Sequence, residues 1–199
     1  MRLFVGIDLP WELRHRIAAL TTTGIQGARW VPPENYHLTL RFIGEVPPHR
    51  AEEIDLALSA LRGKGLELTL SGVGTFSKGG RATALWVGAE KNQRLEHLQN
   101  KIETALQRVG LEPERRRFQP HVTLARLDYA PEAKLAAFVQ AHNLFRSEPF
   151  PVEHFTLFSS QLGKEQSVYT AEVEYELAQL PSWSGLTRPT QADEAPWRW

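Results

Sequence analysis

Two short segments carry the residues best suited to chemistry: His37-Leu38-Thr39-Leu40 and His121-Val122-Thr123-Leu124. In an extended strand residues i and i+2 point to one face, so each histidine projects with its threonine while Leu38, Leu40, Val122 and Leu124 face a core. Two imidazoles of opposite protonation state supply a base and an acid near pH 7. Two hydroxyls donate hydrogen bonds to the non-bridging oxygens of a phosphoryl group. The set suits in-line cleavage of a phosphodiester without a metal. A lone His-x-Thr is more often a structural histidine, but two copies at matching places in a repeat reverse that weighing. Histidine is also a common metal ligand. The chain has no cysteine and no obvious carboxylate at matching positions, so no metal and no cofactor are expected. His15, His49, His97, His142 and His154 receive no role.

The elements around the motifs repeat. Phe4-Val5-Gly6, a helix, the first motif, a helix and Leu68-Thr69-Leu70 are followed by Trp86-Val87-Gly88, a helix, the second motif, a helix and Phe155-Thr156-Leu157. Similar order around a shared tetrapeptide suggests duplication. Two copies are too few for a solenoid. They fit two lobes facing each other across a pseudo-twofold axis, with a cleft between.

Period-two and period-3.6 patterning predicts strands over 3–7, 36–43, 66–70, 83–87, 118–127, 152–160 and 168–177. Helices are predicted from Pro10 through Leu20, over 51–61, 91–109 and 131–142, the third stopped by Gly110. The expected fold is α+β and bilobal, with two pseudo-twofold-related antiparallel sheets, helices on their outer faces and a central cleft. Residues 1–178 form that two-lobed domain, with repeats of roughly 1–80 and 81–178. Residues 179–199, punctuated by Pro181, Pro189 and Pro196 and carrying Trp183, Trp197 and Trp199, read as a flexible or loosely docked tail.

Composition narrows the class. At 199 residues, with 42% hydrophobic and 23% charged residues, the chain is one ordinary globular unit rather than a disordered, collagen-like or coiled-coil protein. Lysine plus arginine and aspartate plus glutamate are 23 each. Coating nucleic acid by bulk charge is therefore not expected, though a local basic cleft is allowed. The N-terminal apolar run is too short for a signal peptide, and no run spans a membrane. The expectation is a soluble, cytoplasmic monomer.

With their flanks, His37-Leu38-Thr39-Leu40-Arg41-Phe42-Ile43-Gly44 and Pro120-His121-Val122-Thr123-Leu124-Ala125-Arg126 resemble the paired motifs of the 2H phosphoesterases. Within them the chain is most similar to the RNA 2′,3′-cyclic phosphodiesterases, historically called 2′-5′ RNA ligases. The opening Arg2-Leu3-Phe4-Val5-Gly6-Ile7-Asp8-Leu9-Pro10 and Phe155-Thr156-Leu157-Phe158-Ser159-Ser160 belong to the same resemblance, which covers residues 1 to about 178. It implies metal-independent hydrolysis of terminal 2′,3′-cyclic phosphates to 2′-phosphomonoesters, and a reversible ATP-independent 2′-5′ ligase activity. RNA 3′ ends or nucleotides carrying the cyclic phosphate are the implied partners. His37 becomes the proton donor and His121 the proton acceptor. Thr39, Thr123 and Arg126 hold phosphate, and Phe42 stacks on the nucleobase. Two alternatives stand beside this: a cyclic phosphodiesterase for small nucleotides, and an RNA-end-binding module without turnover.

One geometric tension accompanies these roles. Phe42 and Arg126 each lie five positions after their histidine, so an ideal strand points them away from it. They reach the cleft only if each strand ends, twists or bulges past the threonine. Arg41, four positions after His37, competes for the phosphate. Arg115-Arg116-Arg117 either guides an RNA backbone or is a solvated turn offset by Glu112 and Glu114.

Overall fold

A computed structural model describes residues 1–22, 24–163 and 167–178. The tail expected over 179–199, with its three tryptophans, lies outside the described residues. Ten strands and four helices follow in order: β1 (Arg2–Asp8), α1 (Trp11–Ala18), β2 (Ala28–Trp30), β3 (His37–Glu45), α2 (Pro48–Ser59), β4 (Leu66–Leu68), β5 (Leu70–Lys78), β6 (Arg81–Ala89), α3 (Gln93–Arg108), β7 (His121–Leu127), α4 (Glu132–His142), β8 (Phe150–Val152), β9 (His154–Leu162) and β10 (Ser167–Glu176). The fold is α+β and largely antiparallel, as the pattern predicts.

The sheet runs β10-β9-β1-β3-β7-β6-β5, with β2 also paired to β7. It consists of two halves, β10-β9-β1-β3 and β2/β7-β6-β5, that meet through a single register pair, Leu38 with Val122. The predicted pair of sheets is thus joined at one point, beside the motifs. The halves do not sort by sequence. Strands β9 and β10 complete the half built on β1 and β3, while β2 and β5 complete the half built on β6 and β7. A second small sheet pairs β4 with β8, Glu67 facing Pro151. The residues at the two central pairs, 38 with 122 and 67 with 151, are both 84 positions apart. One pseudo-twofold relation therefore governs both contacts.

Helix α3 shows why these elements form. Asn92 caps it, its side-chain oxygen accepting the Leu95 N–H at 3.0 Å. Leu95, Leu98, Ile102 and Leu106 form its buried stripe, each side chain contributing about 1.5–3 kcal/mol of burial. Gly110, at φ +83°, ends the helix in a conformation that side-chain-bearing residues avoid. Helices α2 and α3 pack on the β3/β10 half, and α4 packs on β5. Leu3, Val5, Ile7, Leu38, Leu40, Leu85, Val122 and Leu124 fill the sheet's helix-facing side and are essentially solvent-free.

Strand β5 was not predicted. Val73 and Phe76 pair with Val87 and Ala84 in a hairpin whose register shifts between Leu70 and Val73 and again between Phe76 and Ser77. The strand predicted over 66–70 is the short β4 followed by the first residue of β5.

Candidate active site

The free face of the sheet is built around the Leu38–Val122 pair. Both side chains are buried, so His37 and Thr39 project from one strand to the other side, and His121 and Thr123 from its partner. Continued by one residue each way, the antiparallel register sets His37 across from Thr123 and Thr39 across from His121. Four polar groups thus frame one spot, as the sequence predicts.

Each imidazole is held alike. His37 Nδ1 lies 2.8 Å from the Asn35 carbonyl oxygen, and His121 Nδ1 lies 2.7 Å from the Gln119 carbonyl oxygen. A carbonyl only accepts, so both Nδ1 atoms carry hydrogen and both Nε2 atoms are left for chemistry. Nε2 of His37 is 3.0 Å from Thr39 Oγ1, whose hydroxyl donates to it in the neutral state. The Asn35 loop is itself anchored. Asn35 Nδ2 donates to the Ser167 carbonyl at 2.8 Å, and buried Arg14 donates to the carbonyls of Leu9 and Glu34 while pairing with Asp8.

Aromatic rings pack around both histidines. Phe4, Phe158 and Tyr169 surround His37 with centroids 4.7, 6.0 and 5.2 Å away. Phe76 and Trp86 flank His121 at 4.7 and 6.5 Å. Burial pushes the His37 pKa down to about 4. The Asn35 hydrogen bond opposes that, and the charges of His121, Arg14 and Arg126 push it further down. Burial also lowers His121, against the Gln119 hydrogen bond. Burial thus disfavours the imidazolium form of both rings in the free protein, most strongly at His37.

Two bulges resolve the tension over Phe42 and Arg126. Val5 pairs with Arg41 but Gly6 with Thr39, so Leu40 is an extra residue in β3. Leu85 pairs with Ala125 but Trp86 with Thr123, so Leu124 is an extra residue in β7. The bulges sit at equivalent positions and flip the strand past each threonine. Phe42 and Arg126 then share the face of the histidines. Phe42 is 50% exposed, which rules out a core role for it. The bulge removes Arg41 from that face. Its guanidinium pairs with Glu103 of α3 at 2.5 Å and donates to the Glu112 carbonyl, so the expected competition for phosphate is corrected.

The chain matches the family model described as the 2′-5′ RNA ligase superfamily over residues 10–164. It belongs to that superfamily. An RNA 2′,3′-cyclic phosphodiesterase of Aeropyrum pernix is 37% identical over 155 residues, 77% of this chain and 84% of the relative. One of Escherichia coli is 32% identical over 181 residues, 89% of this chain and 97% of the relative. Among solved structures, Escherichia coli LigT complexed with 3′-AMP superposes with a TM-score of 0.73 at 28% identity, covering 89% of this chain and 98% of LigT. TT0787 of Thermus thermophilus gives 0.74 at 27%, covering 90% and 99%.

Other features of this superfamily member lie off the shared face. Arg116 of the Arg115–Arg117 run pairs with Glu114 at 3.1 Å, a solvated turn of the kind weighed above. His15 packs on Trp11 and His142 on Phe138. Among the described residues no three His, Cys, Asp or Glu side chains cluster as metal ligands, and no helix is long and apolar enough to cross a membrane. The anchoring carbonyls of Asn35 and Gln119 escape sequence reading because every residue carries one. The rings around the histidines escape it because they come from five separate strands.

Proposed function

We propose that this protein is an RNA 2′,3′-cyclic phosphodiesterase that opens a terminal cyclic phosphate to a 2′-phosphomonoester by two-histidine acid–base catalysis. The carrying observation is the symmetric set itself. Two Nε2 atoms and two threonine hydroxyls frame one spot, with Phe42 on one side and Arg126 on the other.

In this reading Thr39, Thr123 and Arg126 take the non-bridging oxygens, and Phe42 stacks on the base. His121 Nε2 accepts a proton from water as the water oxygen bonds to phosphorus. The P–O3′ bond breaks in line, and His37 Nε2 gives its proton to O3′. With a 5′-hydroxyl in place of water, the same steps form a 2′-5′ linkage, so ligase activity is the same chemistry with another nucleophile. Because His37 is neutral in the free protein, its proton arrives with the substrate, whose anionic phosphate raises the imidazolium pKa.

The deeper depression of His37 supports a second reading in which the roles are exchanged, since a low pKa suits a base. Phosphorus NMR on the product of a cyclic mononucleotide tests the main reading. A 2′-phosphate is expected, and a 3′-phosphate would reverse the substrate pose. Comparing kcat/KM for RNA ends with that for small cyclic phosphates separates an RNA enzyme from a small-nucleotide enzyme.

A further inference from the structure

Beside Arg126, on the edge of β7 that also carries β3 and His37, stands a second arginine with no assigned role. Strand β2 pairs with β7 in the register Ala28–Leu127, Arg29–Arg126, Trp30–Ala125. Directly opposed residues in an antiparallel pair share a face, with Cβ atoms about 4.5–5.5 Å apart. That face is the catalytic one. Ala125 is buried, Trp30 packs on Phe138 of α4 at 5.8 Å, and Ala84, the β6 neighbour of Arg126, lies on the same side as Trp86.

Like charges placed opposite each other destabilise a strand pair. Here both arginines are exposed, and neither side chain has a hydrogen bond or ion pair among the described residues. By contrast Arg14, Arg41, Arg50, Arg116 and Arg146 are each paired with a carboxylate. The unfavourable pair is nonetheless held firmly. The Val31 N–H donates to the Leu124 carbonyl at 2.8 Å, and the Asp128 N–H to the Gly27 carbonyl at 2.7 Å. Gly27, at φ +78°, lies so close to Asp128 that a Cβ would sit 2.2 Å from its carbonyl oxygen. Only glycine permits that approach, and it fixes the start of β2.

A pinned pair of arginines that share one face beside a phosphate site suits a second anion. The cyclic phosphate has two non-bridging oxygens, already faced by two hydroxyls and Arg126. A further fork donor calls for a further phosphate. We propose that Arg29, with Arg126, forms a second phosphate subsite that takes the phosphodiester 5′ of the terminal nucleotide and makes the enzyme favour RNA chain ends over cyclic mononucleotides. This rests on the phosphodiesterase reading above.

The test compares a dinucleotide ending in a 2′,3′-cyclic phosphate with the matching cyclic mononucleotide, in the intact protein, Arg29→Ala and Arg29→Lys. The dinucleotide-to-mononucleotide ratio of kcat/KM should fall about tenfold in Arg29→Ala, chiefly through KM, and recover in part in Arg29→Lys. The slope of log kcat/KM against log salt should become shallower by about 0.7 for the dinucleotide alone. An unchanged ratio, or equal losses on both substrates because Arg29 merely seats Arg126, overturns the subsite. Titration with the dinucleotide and mononucleotide 2′-phosphates reads the same ratio without turnover. If the intact protein hydrolyses neither substrate, the phosphodiesterase reading fails, while the binding ratio still decides the subsite.

Discussion

Leu38 and Val122 lie side by side as the one register pair between β3 and β7, and the pseudo-twofold axis runs between them. That pair fixes where phosphorus belongs, because it sets each histidine across from the other strand's threonine. It does not fix which way the substrate lies. The break in symmetry comes three residues past each threonine, where equivalent bulges present Phe42 on one lobe and Arg126 on the other. An aromatic ring facing a cation orders a nucleotide, with base to one side and phosphate to the other.

Replacing either histidine should lower turnover by about 10²–10⁴-fold without unfolding the protein, the usual contribution of a positioned acid or base. Steady-state assays of His37→Ala and His121→Ala with a melting curve for each check this, and near-full activity in either would falsify the two-histidine mechanism. A substrate with sulfur at the bridging O3′ needs little protonation on leaving. It should partly rescue His37→Ala and not His121→Ala. The opposite pattern would exchange the roles.

The pH dependence follows from burial. The folded pKa of His37, about 4, lies below the ordinary histidine value of 6.5, so the unfolded chain binds the extra proton first as pH falls. Stability contributed by neutral His37 is complete above about pH 6.5 and is lost as pH falls toward 4, by about 3 kcal/mol at 1.36 kcal/mol per unit. Chemical denaturation across that window should show the decline, and His37→Gln should flatten it. The bell of kcat/KM reports free-enzyme groups, both of them depressed, so its optimum should fall on the acid side of 6.5. An optimum above pH 7.5 would contradict the burial account.

The motif pairs were legible because strand alternation and repetition are local signals. The repeat's registers were not. Sequence similarity aligns Gly6 with Gly88, yet Gly6 faces Thr39 while Trp86, not Gly88, faces Thr123. It aligns Thr69 with Thr156, although Thr69 falls between β4 and β5 and Thr156 lies inside β9. Hydrogen-bond register answers to packing between strands far apart in the chain, which a local resemblance does not encode. Bulges at Leu40 and Leu124 escape for the same reason, and with them the true faces of Arg41, Phe42 and Arg126. Arg29 escapes because a three-residue strand leaves no periodicity to find.

Phe42 and Arg41 are neighbours with separate expected phenotypes. Phe42→Ala should weaken substrate capture by about 1–3 kcal/mol, with similar losses for all four bases, and leave the melting temperature nearly unchanged. Arg41→Ala should do the reverse. It strands Glu103, an α3 carboxylate with 16% side-chain exposure, and should lower stability while sparing KM for a cyclic mononucleotide. KM and melting temperature measured on both variants check the pair. A large KM effect for Arg41→Ala would return it to the phosphate site.

EDTA treatment should leave activity intact, because proton transfer in this reading runs through imidazoles alone. Loss of activity restored by a divalent ion would favour a metal-assisted route.

The second lobe holds His121 through a contact that a single methyl group should disturb. Trp86 lies over Gly74, where a Cβ would sit 2.5 Å from the indole Cζ2. The same indole packs on Phe76 and His121. Gly74→Ala therefore has to displace a ring that is wedged against the imidazole. Overpacking of this kind costs about 1–3 kcal/mol. The displaced indole should also move His121 and lower kcat well beyond what the stability loss explains. Trp86→Phe makes room, and it gives up no hydrogen bond, because the indole Nε1 is buried without a partner among the described residues. In a double-mutant cycle Gly74→Ala should be nearly silent in the Trp86→Phe background, for both melting temperature and kcat. Additive losses would mean that Gly74 matters for the backbone of β5 rather than for the seat of His121.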